Sequence, residues 1–185
     1  MKTTILHTMA FGFLLAGGGF AHADSPYRDI VAGDASKTLD ETWALAADGS
    51  IAVANISGKV QVTGWDQAQV KLEGSLGAGS TLAVSGDAKK LSLQVKTTKT
   101  GWFGSNAPSH DSNLILHVPK NTALDLSVVS ADANVDGMDG KSLKVGSVSG
   151  DVTIAGSALQ IDIDSVSGNV TLVAPADANG RARVQ

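Results

Sequence analysis

The sequence predicts an all-β fold, a parallel β-solenoid with coils of ~18 residues. Three observations carry that expectation. The first is a repeat: Ser147-Val148-Ser149-Gly150-Asp151-Val152-Thr153-Ile154 returns 18 residues later as Ser165-Val166-Ser167-Gly168-Asn169-Val170-Thr171-Leu172. The second is a finer beat, because the apolar pairs Leu143/Val145, Val152/Ile154, Ile161/Ile163 and Val170/Leu172 fall nine residues apart. Alternation places both members of each pair on one face of a strand. The third is punctuation, since 21 glycines, with many serines and aspartates, interrupt every candidate helix within a few residues.

Two further segments align with this repeat, Ser57-Gly58-Lys59-Val60-Gln61-Val62-Thr63-Gly64 and Ser130-Ala131-Asp132-Ala133-Asn134-Val135-Asp136-Gly137. Each is a small polar corner followed by a short alternating strand. A coil of this size cannot bury its own apolar face. Stacking resolves that by setting Val152 near Val170 and Ile154 near Leu172. An antiparallel β-sandwich, with Ser-Gly-Asp as hairpin turns, is the alternative. Hairpins do not require like residues at every second turn, whereas stacked coils do. Near the N-terminus, Ile51/Val53, Val60/Val62 and Val70/Leu72 continue the beat at nine and then ten residues. Ala131, in a place where the other copies carry glycine, implies that not every corner demands positive φ.

The elements before and between these blocks follow in order. Lys2, the apolar run Met9–Phe20 and the small residues of Ala21-His22-Ala23 have the three-part plan of a secretory signal peptide cut after Ala23. The run is too short to span a bilayer, so no membrane span is expected after cleavage. Residues 24–42 read as an extended or weakly helical lead-in, and 43–185 as a single β-repeat domain. A loop over 97–113 separates its two blocks. Leu114 to Val118 resumes as a strand, and Pro119-Lys120-Asn121 is a turn. The chain stops at Arg181-Ala182-Arg183-Val184-Gln185, at the start of another strand. That leaves an expected open last rung through which the protein could self-associate.

Removing residues 1–23 from the 185 leaves 162, a length that suits one domain. Only Lys2 is lost from 14 basic and 18 acidic side chains, so the net charge passes from −4 to −5. Mild acidity argues against nucleic acid and anionic membrane surfaces as partners. No cysteine is present, which excludes disulfides, thiolate metal sites, cysteine nucleophiles and the lipidated cysteine of a lipoprotein. The expectation is an exported protein, periplasmic or at the cell surface.

Several groupings invite a chemical reading. Ser109-His110-Asp111-Ser112 contains the residues of a hydrolytic triad, but sequence neighbours rarely converge on one atom, and a polar loop is the better account. His110 and His117 are the only histidines after the signal segment and make a poor metal pair. Asp132, Asp136, Asp139 and Asp151 suggest calcium, yet the position of Asp151 is Lys59 in one copy and Asn169 in another. A cation would not tolerate lysine in a ligand column, so corner aspartates accepting backbone hydrogen bonds are expected instead. Asp162 and Asp164 share one outward strand face, the arrangement a polysaccharide-active enzyme would need, and also that of a solvated face. No catalytic residue, cofactor or metal is assigned. Trp102-Phe103, bounded by Gly101 and Gly104, either covers the core or grips a glycan or protein partner. Trp43 and Trp65 read as packing residues.

The stretch Gly49–Asp66, the passage Leu116-His117-Val118-Pro119-Lys120 leading into Leu124-Asp125-Leu126-Ser127, and the Val-Ser-Gly-Asp-Val rungs together resemble an exported bacterial family. It is an adhesin-like β-strand-repeat family catalogued as a domain of unknown function. The resemblance spans roughly residues 40–174. It implies a parallel β-helical domain with a non-enzymatic binding or structural role in the envelope, and supplies no catalytic residue to carry over.

Overall fold

The computed structural model describes residues 27–97, 110–173 and 181–185. The segment 1–23 and the pair Trp102 and Phe103 lie outside the described residues. Within them the secondary structure is all β, in 13 strands. These are β1 (Ile30–Val31), β2 (Lys37–Ala44), β3 (Ser50–Trp65), β4 (Gln69–Leu76), β5 (Ser80–Gly86), β6 (Lys90–Thr97) and β7 (Ser112–Pro119). They continue with β8 (Ala123–Met138), β9 (Leu143–Ser149), β10 (Val152–Gly156), β11 (Gln160–Ser165), β12 (Val170–Val173) and β13 (Arg181–Val184).

The strands form two ladders that share β3 and β8. One runs β1-β5-β6-β3-β8-β9-β11-β13. The other runs β2-β4-β7-β3-β8-β10-β12. β3 and β8, 16 residues each, contribute their N-terminal halves to the first ladder and their C-terminal halves to the second. In β3 the buried positions shift from Ile51, Val53 and Asn55 to Val60 and Val62 across a corner at Gly58, whose φ is 104°. Inward side chains from both ladders make one hydrophobic cluster.

The corner alignment read from the sequence is the physical register. Ser57, Gly58, Lys59 and Val60 pair with Ser130, Ala131, Asp132 and Ala133. Val152 pairs with Ala133 on one side and Val170 on the other, in parallel. The aliphatic column Val62–Val135–Ile154–Leu172 therefore crosses four strands of the second ladder. Ile51–Leu124–Leu143–Ile161 does the same in the first. Each fully buried Val, Leu or Ile stabilises the fold by roughly 1.5–3 kcal/mol, so the columns, rather than the exposed corners, hold the stack.

The N-terminal block departs from a uniform solenoid. β4 does not follow β3 as a parallel rung; it pairs antiparallel with β7 and with β2. On the first ladder, β1 pairs with β5 and β5 with β6 in antiparallel fashion, while β6 joins β3 in parallel. The reason is local. Only Asp66-Gln67-Ala68 separate β3 from β4, and the chain doubles back on the same ladder instead of turning a corner onto the other. The slip from nine to ten residues between Val60/Val62 and Val70/Leu72 marks that reversal in the sequence. β7 then inserts between β4 and β3. Within 24–42, residues of β1 and β2 join this block, and Ile30 and Leu39 enter the core.

Candidate binding surface

The corner is occupied with structural work. Gly58, Gly150 and Gly168 hold φ of 104°, 120° and 116°. Ala131 stacks between Gly58 and Gly150 without positive φ and is buried. Asp132 Oδ1 accepts the Asp151 backbone N–H at 3.0 Å, and Asp151 Oδ1 accepts that of Asn169 at 3.0 Å. Each aspartate thus ties its coil to the next. Asp139 accepts from the Ser157 hydroxyl. Among the described residues no three acidic or histidine side chains converge on a point where a cation could sit.

Among the described residues of the Ser109–Ser112 grouping, His110, Asp111 and Ser112, no activated nucleophile is assembled. Ser109 lies outside the described residues. Ser112 is buried, its Oγ accepts the Gly77 N–H at 2.9 Å, and its carbonyl oxygen accepts from Asn55 Nδ2 at 3.1 Å. This serine closes the start of β7 against β4 and β3. His110 and Asp111 are exposed.

On the outside of the second ladder, Lys71, His117 and Thr63 lie opposite one another on β4, β7 and β3. Trp65 stacks on His117, with ring centroids 5.3 Å apart and planes at 29°. Its indole N–H donates to the carbonyl of Gln69 at 2.8 Å. Trp65 therefore packs, but on the outer face rather than in the core where Trp43 lies. Lys71 Nζ is 2.8 Å from Glu73 Oε1, and His117 Nε2 is 3.9 Å from Glu73 Oε2. The hydrogen bond from Lys71 holds the Glu73 carboxyl below its usual range and raises Lys71 in return. Beside them Lys120 reaches Asp66 at 2.6 Å, which raises Lys120. Gln61, Asn134, Thr153 and Thr171 form a second outward column, polar throughout.

The outside of the first ladder carries an open trough of about 880 Å³ over β8, β9, β11 and β13. Asp125, Lys144, Asp162 and Arg183 form one outward column along it. Ser127, Gly146 and Asp164 form the next. Asp162 and Asp164 thus share the outward face expected of them, and Gln160 Nε2 donates to Asp162 Oδ2 at 2.7 Å. Beyond lies a feature the sequence reading passed over: Val129, Val148 and Val166 are exposed by 46, 49 and 81% at successive corners. The signal was available, because Val148 and Val166 are repeated identically although no core position requires them.

Residues 121–185 match the model of the Toastrack DUF4097 family, in line with the resemblance to a domain of unknown function read from the sequence. Among solved structures, a "putative cell adhesion protein" from Clostridium sporogenes shares the fold. It is 17% identical, with a TM-score of 0.53 over 76% of this chain and 74% of that one. No curated protein matches the chain.

Proposed function

We propose that this protein is a non-enzymatic, adhesin-like module of the bacterial envelope, exported by its N-terminal segment, that binds or scaffolds through a rigid stacked surface. Its repeat half is a parallel β-solenoid with coils of ~18 residues. The observation that carries the reading is the outer surface itself. Side chains of successive strands fall in register into continuous columns, such as Gln61–Asn134–Thr153–Thr171. Ser112 and the corner aspartates Asp132 and Asp151 are taken up by backbone contacts instead. A surface of this kind reads an extended partner, glycan or protein, through many weak contacts at strand spacing. The family match and the similar fold support it.

The absence of native cysteine makes the test direct. Lys59, exposed at the corner, is replaced by cysteine, and cells are treated with a membrane-impermeant maleimide before and after permeabilisation. Labelling of intact cells is the expected result. Labelling only after permeabilisation would confine the protein to the periplasm and remove the adhesive role. A polysaccharide-active enzyme would betray itself differently: Asp162→Asn or Asp164→Asn alone would abolish turnover, whereas a surface reader loses affinity gradually over several substitutions.

A further inference from the structure

We infer that the outer face of β8, β9, β11 and β13 is a dimer interface that accepts a second copy of this chain, related by a two-fold axis parallel to the strands. The outward column on these consecutive strands reads Asp125, Lys144, Asp162, Arg183. Its signs alternate, minus, plus, minus, plus. Such an order is complementary to its own reversal. A two-fold axis lying along the strands between β9 and β11 reverses it, setting Asp125 against Arg183 of the second copy and Lys144 against its Asp162. An axis running along the stack would instead set like charge on like, so the charge order selects one of the two face-to-face arrangements. Among the described residues none of the four has an oppositely charged partner within 4.0 Å in its own chain.

The same axis matches neighbouring columns by size. Gly146, where an added methyl would meet nothing within 4 Å, faces Asp164 of the second copy. The exposed Val148 faces its Val166, so an apolar strip closes on itself along one edge of the charged trough. Four strands spaced ~4.8 Å apart, of about seven residues in β8 and β9, six in β11 and four in β13, cover roughly 380 Å² per partner. Both sides together stay under the ~1,200 Å² at which standard interfaces begin, so the association is weak and electrostatically ordered.

The test is sedimentation equilibrium of the full chain at about 10–300 μM, where a reversible dimer of this size is readable. The dimer is expected to weaken about tenfold with Lys144→Asp, which turns two attractive contacts into repulsive ones, and similarly with Asp162→Lys. Combining the two gives the order minus, minus, plus, plus, again complementary to its reversal, and is expected to restore the dimer. Val166→Ser, at a fully surface position, weakens it independently of charge, and unchanged melting of each variant shows that the fold is intact. A strictly monomeric wild type, or single variants that dimerise undiminished, would overturn the inference. So would a double variant no better than the singles, or self-association through the last strands, which is indifferent to the order of these charges.

Discussion

A methyl group on Gly150 would lie 2.4 Å from the carbonyl oxygen of Ala131, and the residue holds a φ of 120°. Both penalties fall on backbone that cannot move without disturbing the neighbouring coil. Gly150→Ala is therefore expected to cost about 2 kcal/mol, or about 4–8 °C of melting temperature in a chain of this size. Gly33→Ala, whose added methyl meets nothing within 4 Å, should leave the melt nearly unchanged. Val152 tests the other side of the same corner. It is fully buried between Ala133 and Val170, and Val152→Asp places an unpaired carboxylate there, so loss of the cooperative melt is expected. Asp151→Ala removes only an exposed acceptor and should cost about 1 kcal/mol, with added calcium leaving the melting temperature where it was. Ser-Gly-Asp-Val was legible as corner and strand because steric demand acts on residue type at one position. Val148 and Val166 were marked by their identical repeat, but that they are exposed was not legible, because exposure is decided by how corners stack.

At the scale of elements, the parallel half was legible and the antiparallel half was not, for a physical reason. Stacked parallel coils place equivalent residues in contact, so register is written as repetition; Ser57 over Ser130, and Val152 beside Val170, could be aligned by eye. An antiparallel pair opposes unlike positions, as in Lys71 with His117 or Trp43 with Val70, and leaves no repeat to find. The β5–β6 hairpin shows how such an element is fixed instead. Asp87 Oδ1 accepts the backbone N–H groups of Lys89 at 2.7 Å and Lys90 at 2.9 Å. Those bonds favour the ionised carboxylate and hold its pKa below the ordinary 3.8. A carboxyl whose folded pKa is depressed stabilises the protein above its unfolded pKa, and that contribution is lost as pH falls through the folded value. Asp87→Ala should therefore be less stable than wild type at neutral pH, with the difference closing below pH 3.8. Denaturant titrations at a series of pH values measure it, and a gap that persists in acid would assign the loss to something other than ionisation.

Across the whole molecule, stability should follow position in the stack. β3 is paired along both edges, with β6 and β7 on one side and β8 on the other, and β8 lies between β3 and the pair β9 and β10. Their inward residues, among them Val60, Val62, Leu126 and Val135, are fully buried. β12 and β13 each pair on one side among the described residues. Val170 and Leu172 are only partly buried, and β13 is exposed throughout. In a stack where each coil touches only its neighbours, local opening is set by the coil and its interfaces rather than by the global transition. The β2–β4 end behaves differently, because Leu39 and Trp43 are buried there and close it with large side chains. Amide hydrogen exchange should thus grade in one direction. Protection is expected to be highest in β3 and β8, lower through β9 and β10, and lowest in β12 and β13, while β4 stays close to the centre. Equal protection from β3 to β12 would mean that the stack unfolds as one cooperative unit. In that case the mixed block around β4 and β7 would be stabilising the coils beyond their nearest neighbours.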